Sequence, residues 1–392
     1  MADAARIAFV CDMHADYAVG GAQRFYATLA QEFAREDPVT YLTRRFWPGS
    51  ATRTEGAVEV IGLIPAPEAG AGGRGMAPKL TFAAALLWHL LRHGARYRVV
   101  HVCCFPHVAL VAARLGLLPH RATTLVADWH EVLPRATWRR RLGRVGDLGW
   151  LAQRAAINAG AAAITFSRMH RERLRQEGRR HGVHLIPEFP TEQVRVAADG
   201  DLVTGEDSAR ERLIVFAGRL VEEKRPHLIP AVLAELQRDD PAWRAEVFGT
   251  GPERAHVEAE ALRLGVTDAV RFAGFAEWSE LSGAMLRASA LVLPTEREGF
   301  GLVVLEASGH GLPSVLVAEE DNAAVELIDD GVNGRVCASA DPGEQARAVL
   351  ALTADGAVHE RTRAWYEEHR DRFSVATCAA EIRAVHRAVR GG

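Results

Sequence analysis

Residues 291–313 read Leu291-Val-Leu-Pro-Thr-Glu-Arg-Glu-Gly-Phe-Gly-Leu-Val-Val-Leu-Glu-Ala-Ser-Gly-His-Gly-Leu-Pro313. An apolar run ends at Pro294, a polar loop covers Thr295 to Glu298, and Gly299-Phe300-Gly301 opens an apolar helix starting near Leu302. Strand, loop and helix in that order are the unit of a parallel α/β sheet. Glycines let backbone N–H groups come close to a ligand, and a helix N-terminus favours an anion such as a diphosphate. Glu298 and Glu306 are eight residues apart. The spacing puts Glu298 in the loop, able to face a cleft, and Glu306 about one turn inside the helix, able to face a neighbouring ribose. As a purely structural feature the stretch would be a tight turn carrying two surface glutamates.

The same alternation runs outward in both directions. Before it, strands are expected at Ile7–Cys11, Val39–Thr43, Val58–Leu63, Val99–Cys103, Thr124–Ala127, Ala162–Phe166 and His184–Ile186, with helices at Ala22–Ala34, Leu80–Leu91, Val108–Leu115 and Leu148–Ala159. This predicts a doubly wound α/β domain with a parallel sheet. Pro187, Pro190 and the polar stretch 197–208 interrupt the pattern and read as a linker. Strands resume at Leu213–Ala217, Ala245–Phe248, Val270–Phe272, Leu291–Leu293, Ser314–Val317 and Gly334–Cys337, and a helical tail from Thr353 to Val389 breaks near Phe373-Ser374. The boundaries expected are 1–195 for a first domain, 196–372 for a second, and about 373–392 for a tail. The Gly-rich stretch 69–75 reads as a loop. Open α/β sheets bind ligands beyond the carboxyl ends of their strands, so the chemistry is expected where two such domains face each other.

Composition narrows the class. The 392 residues are 48% hydrophobic and 25% charged, ordinary for globular proteins. There is no apolar run of about 18 residues to span a membrane, and the apolar start at Ile7 is too short for a signal-peptide core. A cytoplasmic location is the default expectation. The five cysteines are scattered without a CxxC pair, which argues against a disulfide framework or a zinc site. Residues 1–195 carry 26 Lys+Arg against 16 Asp+Glu, and residues 196–392 carry 21 against 34. Twelve arginines crowd Arg135–Arg180, facing only Asp147, Glu172 and Glu177. With Trp138 and Trp150, this stretch could lie on an anionic bilayer or could be a solvated arginine face. No nucleic-acid recognition module is present.

Four further elements carry chemistry. In Ile214-Val-Phe-Ala-Gly-Arg-Leu-Val-Glu-Glu-Lys-Arg-Pro226 a strand ends at Gly218 and delivers Arg219 and Lys224 to the following loop. Arginine binds a diphosphate in bidentate fashion and lysine as a point charge; the alternative is two solvated cations. Val247-Phe-Gly-Thr-Gly-Pro252 is a strand followed by a glycine turn, half of a dinucleotide fingerprint with Gly249 and Gly251 but no third glycine. Gly20-Gly21 precedes a helix and resembles a phosphate-binding turn. Ala127-Asp-Trp-His-Glu131 ends a strand, so Asp128, His130 and Glu131 are expected to project toward the cleft, with a structural histidine as the alternative.

Taken together, Gly20-Gly21, the Arg219/Lys224 pair, Gly249-Thr-Gly-Pro252 and the Glu298-to-Glu306 spacing resemble the family-4 retaining glycosyltransferases of the GT-B fold. The resemblance covers most of the chain and is best from about 212 to 337. It implies two Rossmann-like domains facing across a cleft, with a C-terminal helix crossing back to the first. It further implies that Arg219 and Lys224 hold the donor diphosphate, that Glu306 binds the ribose, and that Glu298 lies beside the transferred sugar. Gly299, Phe300, Gly301 and Leu302 would contact sugar and phosphate, His130 would sit near sugar and acceptor, and Gly20 and Gly21 would lie against the phosphates or the acceptor. The chain departs from the family pattern at Asp321-Asn-Ala-Ala-Val-Glu326, where a Gly-Gly pair often precedes the glutamate.

The reaction implied is transfer of a sugar from a nucleoside-diphosphate donor, most commonly UDP, to an acceptor hydroxyl. The acceptor would be a lipid-linked glycan or a natural product. Cations and helix amides would stabilise the leaving diphosphate without a metal or other cofactor, and a front-face route needs no protein nucleophile. Asp199-Gly-Asp201 formally matches a metal-binding Asp-x-Asp motif but sits in the linker-like stretch. A sugar-nucleotide epimerase or phosphorylase would share the cleft, although Lys79 is poorly placed for a phosphorylase cofactor. An NAD-dependent oxidoreductase is disfavoured by the incomplete fingerprint, and an inactive partner subunit by retention of Arg219, Lys224 and Glu298.

Overall fold

The structure, a computed structural model, describes residues 6–14, 21–66, 76–103, 107–179, 181–190 and 210–391. Gly20, the Gly-rich stretch 69–75, the linker stretch 197–208 and its Asp199-Gly-Asp201 lie outside the described residues. The chain divides into two compact units, one of Met1–Phe189 with Phe373–Gly392, the other of Pro190–Arg372.

The first unit is built on β1 (Arg6–Val10), α1 (Gly21–Ala34), β2 (Val39–Arg45), β3 (Thr52–Glu55), β4 (Val58–Pro65), α2 (Met76–His93), β5 (Tyr97–Cys103), α3 (His107–Gly116), β6 (Thr124–Trp129), α4 (Arg135–Leu142), α5 (Gly146–Ile157), β7 (Ala162–Thr165), α6 (Arg168–Gln176) and β8 (Val183–Leu185). Its sheet runs β3-β4-β2-β1-β5-β6-β7-β8. All pairs are parallel except β3 with β4. β3 escapes a hydrophobic-pattern reading because Thr52-Arg-Thr-Glu55 is a polar edge strand.

Alternation of side chains sorts the central strands into two faces. Ala8, Val10, Val100, Val102, Leu125 and Ala127 pack with Phe82, Leu86 and Leu90 of α2, Leu110 and Ala113 of α3, and Ala156 and Ile157 of α5. The intervening residues Phe9, His101 and Asp128 point to the other face, where Tyr26 and Phe33 of α1 are buried.

The second unit contains β9 (Leu213–Ala217), α7 (Leu228–Asp239), β10 (Arg244–Phe248), α8 (Arg254–Arg263), β11 (Val270–Gly274), α9 (Trp278–Arg287), β12 (Ala290–Leu293), β13 (Arg297–Glu298), α10 (Leu302–Gly309), β14 (Ser314–Val317), β15 (Asp321–Asn322), β16 (Gly334–Cys337), α11 (Pro342–Thr353) and α12 (Val358–His369). Its parallel sheet is ordered β11-β10-β9-β12-β14-β16. The order reverses at β9, with β10 on one side and β12 on the other, which is the switch point where such sheets bind ligands. The helical tail is broken between His369 and Val375, as Phe373-Ser374 suggests. α13 (Val375–Gly391) then packs on α1 and β6 of the first unit. Arg383 of α13 lies over the Phe33 ring at 4.5 Å and donates to the carbonyls of Glu32 and Phe33.

Candidate functional site

In the second unit, parallel strands bring four loops to one edge of the sheet. The loop after β9 carries Arg219 and Lys224, the turn after β10 carries Gly249 and Gly251, the loop after β12 carries Glu298, and the loop after β14 carries Glu319 to Asn322.

The first two loops are pressed together by their glycines. A Cβ on Gly249 would stand 1.8 Å from the Gly218 carbonyl oxygen, and one on Gly251 would stand 2.1 Å from that of Leu220. The contact is hydrogen-bonded in both directions: Leu220 N donates to Thr250 O at 2.9 Å and Glu253 N donates to Leu220 O at 3.0 Å. Gly249 and Gly251 therefore support the shape of the Arg219 loop through its backbone.

Lys224 closes a short turn and makes an ion pair with Glu298. Around it, Arg297 bonds Glu223 at 2.7 Å, and Arg225 reaches Glu319 at 2.5 Å and Glu296 at 3.5 Å. Glu296 N also donates to Glu223 O at 2.9 Å. Arg225 adopts a left-handed backbone, φ 46, uncommon for a residue other than glycine. Sequence reading passes over it because this geometry has no signature in residue type. Arg219 contrasts with its neighbours: it is exposed and makes no ion pair among the described residues.

Glu298 is not on a free loop. It lies on β13 and pairs in register with Asn322 of β15. The Asn322 amide donates to the carbonyls of Thr295 (3.3 Å) and Val317 (3.0 Å), and its oxygen accepts from Ala324 N (3.1 Å). One buried asparagine thus fixes the ends of both loops. Gly301, at φ 100, caps α10, and a Cβ there would stand 2.6 Å from that of Ala324. The turn brings the first amides of α10, which a helix leaves unbonded, directly after Gly299 and the buried Phe300. Glu306, one turn into α10, is buried.

In the first unit Gly21 begins α1, as the Gly-Gly reading anticipates. His130 stacks on Phe166 with ring centroids 4.4 Å apart. Its Nδ1 lies 2.7 Å from Glu188 Oε1, and its Nε2 lies 3.3 Å from the Tyr26 hydroxyl. Asp128 does not project into open space: it is fully buried and accepts a 2.5 Å hydrogen bond from Tyr26. Its other oxygen is 2.6 Å from His101 Nε2, close but out of line for a hydrogen bond. His101 Nδ1 in turn is 3.1 Å from His386 Nε2 on α13. Burial and the Asp128 charge hold the Tyr26 phenol well above its ordinary pKa, so the hydroxyl is the donor to Asp128. Burial works against charging His130, but Glu188, Asp128 and Glu131 outweigh it and raise its pKa. Glu188 was missed by sequence reading, being 58 residues from its partner.

Among the described residues, His227, Glu253 and His256 form a group with metal-ligating atoms within 4.8 Å of one another. The two imidazoles are stacked at 4.8 Å with an interplanar angle of 14°. Nearly parallel rings do not aim their in-plane lone pairs at one point, so this is not a formed metal centre.

Residues 19–189 match the family model described as Glycosyltransferase Family 4, and residues 205–372 match that described as Glycosyl transferases group 1. The chain belongs to the family-4 glycosyltransferases. A D-inositol 3-phosphate glycosyltransferase from Streptomyces bingchenggensis is 33% identical over 189 residues, 45% of this chain and 41% of that protein. The chain thus matches less than half the length of that curated relative. Among solved structures, sucrose-phosphate synthase from Thermosynechococcus elongatus aligns with a TM-score of 0.74 at 18% identity, covering 98% of each chain. Anabaena HepE in complex with UDP-glucose aligns at 0.72 and 18% identity, covering 98% of this chain and 99% of that one. The fold is GT-B.

Proposed function

We propose that the protein transfers a sugar, with retention of anomeric configuration, from a nucleoside-diphosphate donor to an acceptor hydroxyl. The observation that carries this reading is the assembly of Arg219, Lys224, Glu298 and the Gly299–Gly301 turn on one sheet edge at its switch point. Departure of a nucleoside diphosphate leaves negative charge on phosphate oxygens. Fixed cations and amides lower that barrier most when they are oriented beforehand, and the ion pairs around Lys224 provide such orientation. Arg219, unspent on a carboxylate, is the bidentate phosphate ligand. Glu298, held by β13, orients the sugar, and Glu306 takes the ribose hydroxyls. No step in this scheme calls on a metal, and the departing phosphate accepts the acceptor's proton. UDP is the proposed base carrier, supported by the HepE complex with UDP-glucose.

The test is thermal melting with a panel of sugar nucleotides, with Mg²⁺ and with EDTA. A donor present at 100 times its Kd adds about 2.7 kcal/mol. Stabilisation by a nucleoside-diphosphate sugar in EDTA, followed by detection of a glycoside product of retained configuration, is the expected result, and a product of inverted configuration would overturn the retention. Stabilisation by NAD instead would overturn it.

A second reading concerns where the enzyme works, and we propose contact with an anionic membrane. No described helix is long and apolar enough to cross a bilayer. Yet ten of the twelve large apolar side chains exposed among the described residues lie between Met76 and Leu151, including Trp88, Leu118, Val145, Leu148 and Leu151. They belong to the segments of α2, α3, α4 and α5, of which α2, α3 and α5 share one face of the sheet. Residues 76–93, 107–118 and 135–157 carry nine basic residues and one acidic residue, Asp147. Arg92 lies over the Trp88 ring at 4.0 Å, and Arg135 and Arg154 lie over Trp150. Apolar side chains flanked by arginines suit the headgroup layer of an anionic bilayer. The surface is wider than the arginine run Arg135–Arg180, since α2 and α3 supply much of its apolar part.

A further inference from the structure

The two ring nitrogens of His130 both face acceptors. Nδ1 meets the Glu188 carboxylate at 2.7 Å. Nε2 meets the Tyr26 oxygen at 3.3 Å, and that hydroxyl has already given its proton to Asp128 at 2.5 Å. A neutral imidazole has one N–H and would leave one of these contacts without a donor; an imidazolium satisfies both. Glu188 is itself buried, with 7% of its side chain exposed, and His130 shows 15%. In so dry a setting each charge needs the other.

We propose that Glu188 is a positioning residue for sugar transfer: with the Tyr26–Asp128 pair behind it, it holds His130 as an imidazolium that offers Nε2–H to a substrate oxygen. His130 on this view is a fixed hydrogen-bond-donating cation and not a base. The inference rests on the sugar-transfer reading for the identity of the substrate, while the charge on His130 stands on the first unit's geometry alone. The two bonds differ in the useful direction. The 2.7 Å contact to Glu188 is short and fixes the ring, whereas the 3.3 Å contact to Tyr26 is long, so a ligand oxygen competes for Nε2–H at low cost. The ring cannot tip away to release Nδ1, because Phe166 lies flat against it and Phe25 meets it edge-on at 5.9 Å.

Among the described residues, the titratable groups that act on the ring come from several elements. α1 supplies the Tyr26 hydroxyl, the end of β6 supplies Asp128 and Glu131, the segment after β8 supplies Glu188, and α13 places the Cys378 thiol near Asp128 and Glu188. None of these named groups is a cation, and burial with the nearby carboxylates pushes the thiol pKa well up, so Cys378 stays neutral. The ring pKa is raised by this surrounding in spite of burial. Behind Asp128, the His101–His386 contact ties the array to α13. Burial and the neighbouring His101 drive the His386 pKa far down, so His386 adds no competing charge.

The experiment titrates the full-length protein labelled at the histidine ring carbon, without ligand, by NMR. His130 is assigned by the resonance that disappears in His130→Gln. The wild-type ring is expected to titrate above 6.5, its ordinary value. Glu188→Gln keeps the shape and removes the charge, and is expected to lower the midpoint by about one pH unit or more. Glu188→Asp is expected to recover part of the loss, and Asp128→Asn to give a smaller drop, which covers the case in which Glu188→Gln does not fold. The alkaline limb of kcat for turnover of a sugar nucleotide should move down with the midpoint, because activity is lost as His130 deprotonates. An unmoved midpoint in the folded Glu188 variants overturns the proposal. So does a moved midpoint with an unmoved kcat limb, or a rate that rises as His130 deprotonates. A moved midpoint in a protein that turns over no sugar nucleotide upholds the held charge and sinks the sugar-transfer reading instead.

Discussion

Lys224 and Glu298 stand 74 residues apart in the chain and meet as an ion pair at the carboxyl edge of the second sheet. With 13% and 23% of their side chains exposed, they are dry enough for each to depend on the other. Lys224→Met is expected to cost about 1–3 kcal/mol of stability by stranding the glutamate, and Glu298→Gln a similar amount. The double variant should lose less than the sum. Melting of the four proteins checks this, and strictly additive losses would mean the two side chains do not support each other.

Arg219 should behave in the opposite way. It is exposed and carries no ion pair among the described residues, so Arg219→Ala is expected to leave the melting temperature of the ligand-free protein unchanged. Its loss should appear only with donor present, as an affinity for the nucleoside diphosphate weaker by on the order of 10–100-fold, the worth of a charge-assisted pair of hydrogen bonds. Calorimetric titration of wild type and variant with UDP measures it. Equal affinities would remove Arg219 from the site.

Two glycines separate support from strain. Gly249→Ala places a methyl 1.8 Å from the Gly218 carbonyl oxygen at φ 130, and neither backbone can yield. That variant is expected to lose more than about 3 kcal/mol or to fail to accumulate folded. At Gly301 the obstacle is the Ala324 side chain at 2.6 Å. Ala324→Gly should therefore recover part of the stability lost by Gly301→Ala, leaving the cost of φ 100, about 1–2 kcal/mol. Denaturant titration of the single and double variants tests the rescue.

Stability should fall between pH 6.5 and pH 4. Burial, with His93 and Arg96 nearby, lowers the His89 pKa to about 4; burial, with Arg210 nearby, does the same to His359. Between that value and the ordinary 6.5 the unfolded chain binds protons that the folded chain refuses, so stability present above 6.5 drains away as pH falls toward 4. Replacing His359 by Gln, which retains a donor for the Gly311 carbonyl, should flatten the slope of unfolding free energy against pH in that window. An unchanged slope would mean that His359 titrates normally.

Binding to vesicles tests the basic, apolar helical surface. The protein is expected to float with vesicles containing anionic phospholipid and not with neutral ones, and to release as salt rises. Replacing Arg139, Arg140 and Arg141 by Gln should weaken the partition on the order of 100-fold, at about 1 kcal/mol per charge. Leu148→Asp with Leu151→Asp should weaken it without altering the net positive field by more than those two charges. Equal partition onto neutral and anionic vesicles would contradict the assigned surface.

Much of the fold was legible because buried parallel strands are apolar runs with glycine or proline at their ends. Leu213–Ala217, Ser314–Val317 and Gly334–Cys337 were read to the residue. β3 was not, since Thr52-Arg-Thr-Glu55 owes its place to hydrogen bonds with β4 and not to hydrophobic periodicity. The residues of the candidate site were legible as types at strand ends, but not their relations. Nothing in sequence pairs Lys224 with Glu298, gives Arg225 a left-handed backbone, or shows that Glu298 is in a strand. Asp128 looked like a cleft residue from its position at the end of β6. In the structure it faces inward to Tyr26, whose own place on the buried stripe of α1 made it indistinguishable from ordinary core. Glu188 lay among prolines in what reads as a connection.

The return of α13 to the first unit sets an order on synthesis. Cys378, Ala379 and Ile382 are buried there, and His386 reaches the ring of His101. A ribosome making this chain has finished every strand of the first sheet by Leu185. It must then build the entire second unit before it supplies the helix that covers Phe33 and His101. Until then one face of the first sheet carries an uncovered patch, and the nascent chain waits half-closed through some two hundred residues of translation, about 10–40 s at the usual elongation rates. The second unit, continuous in sequence, is complete first.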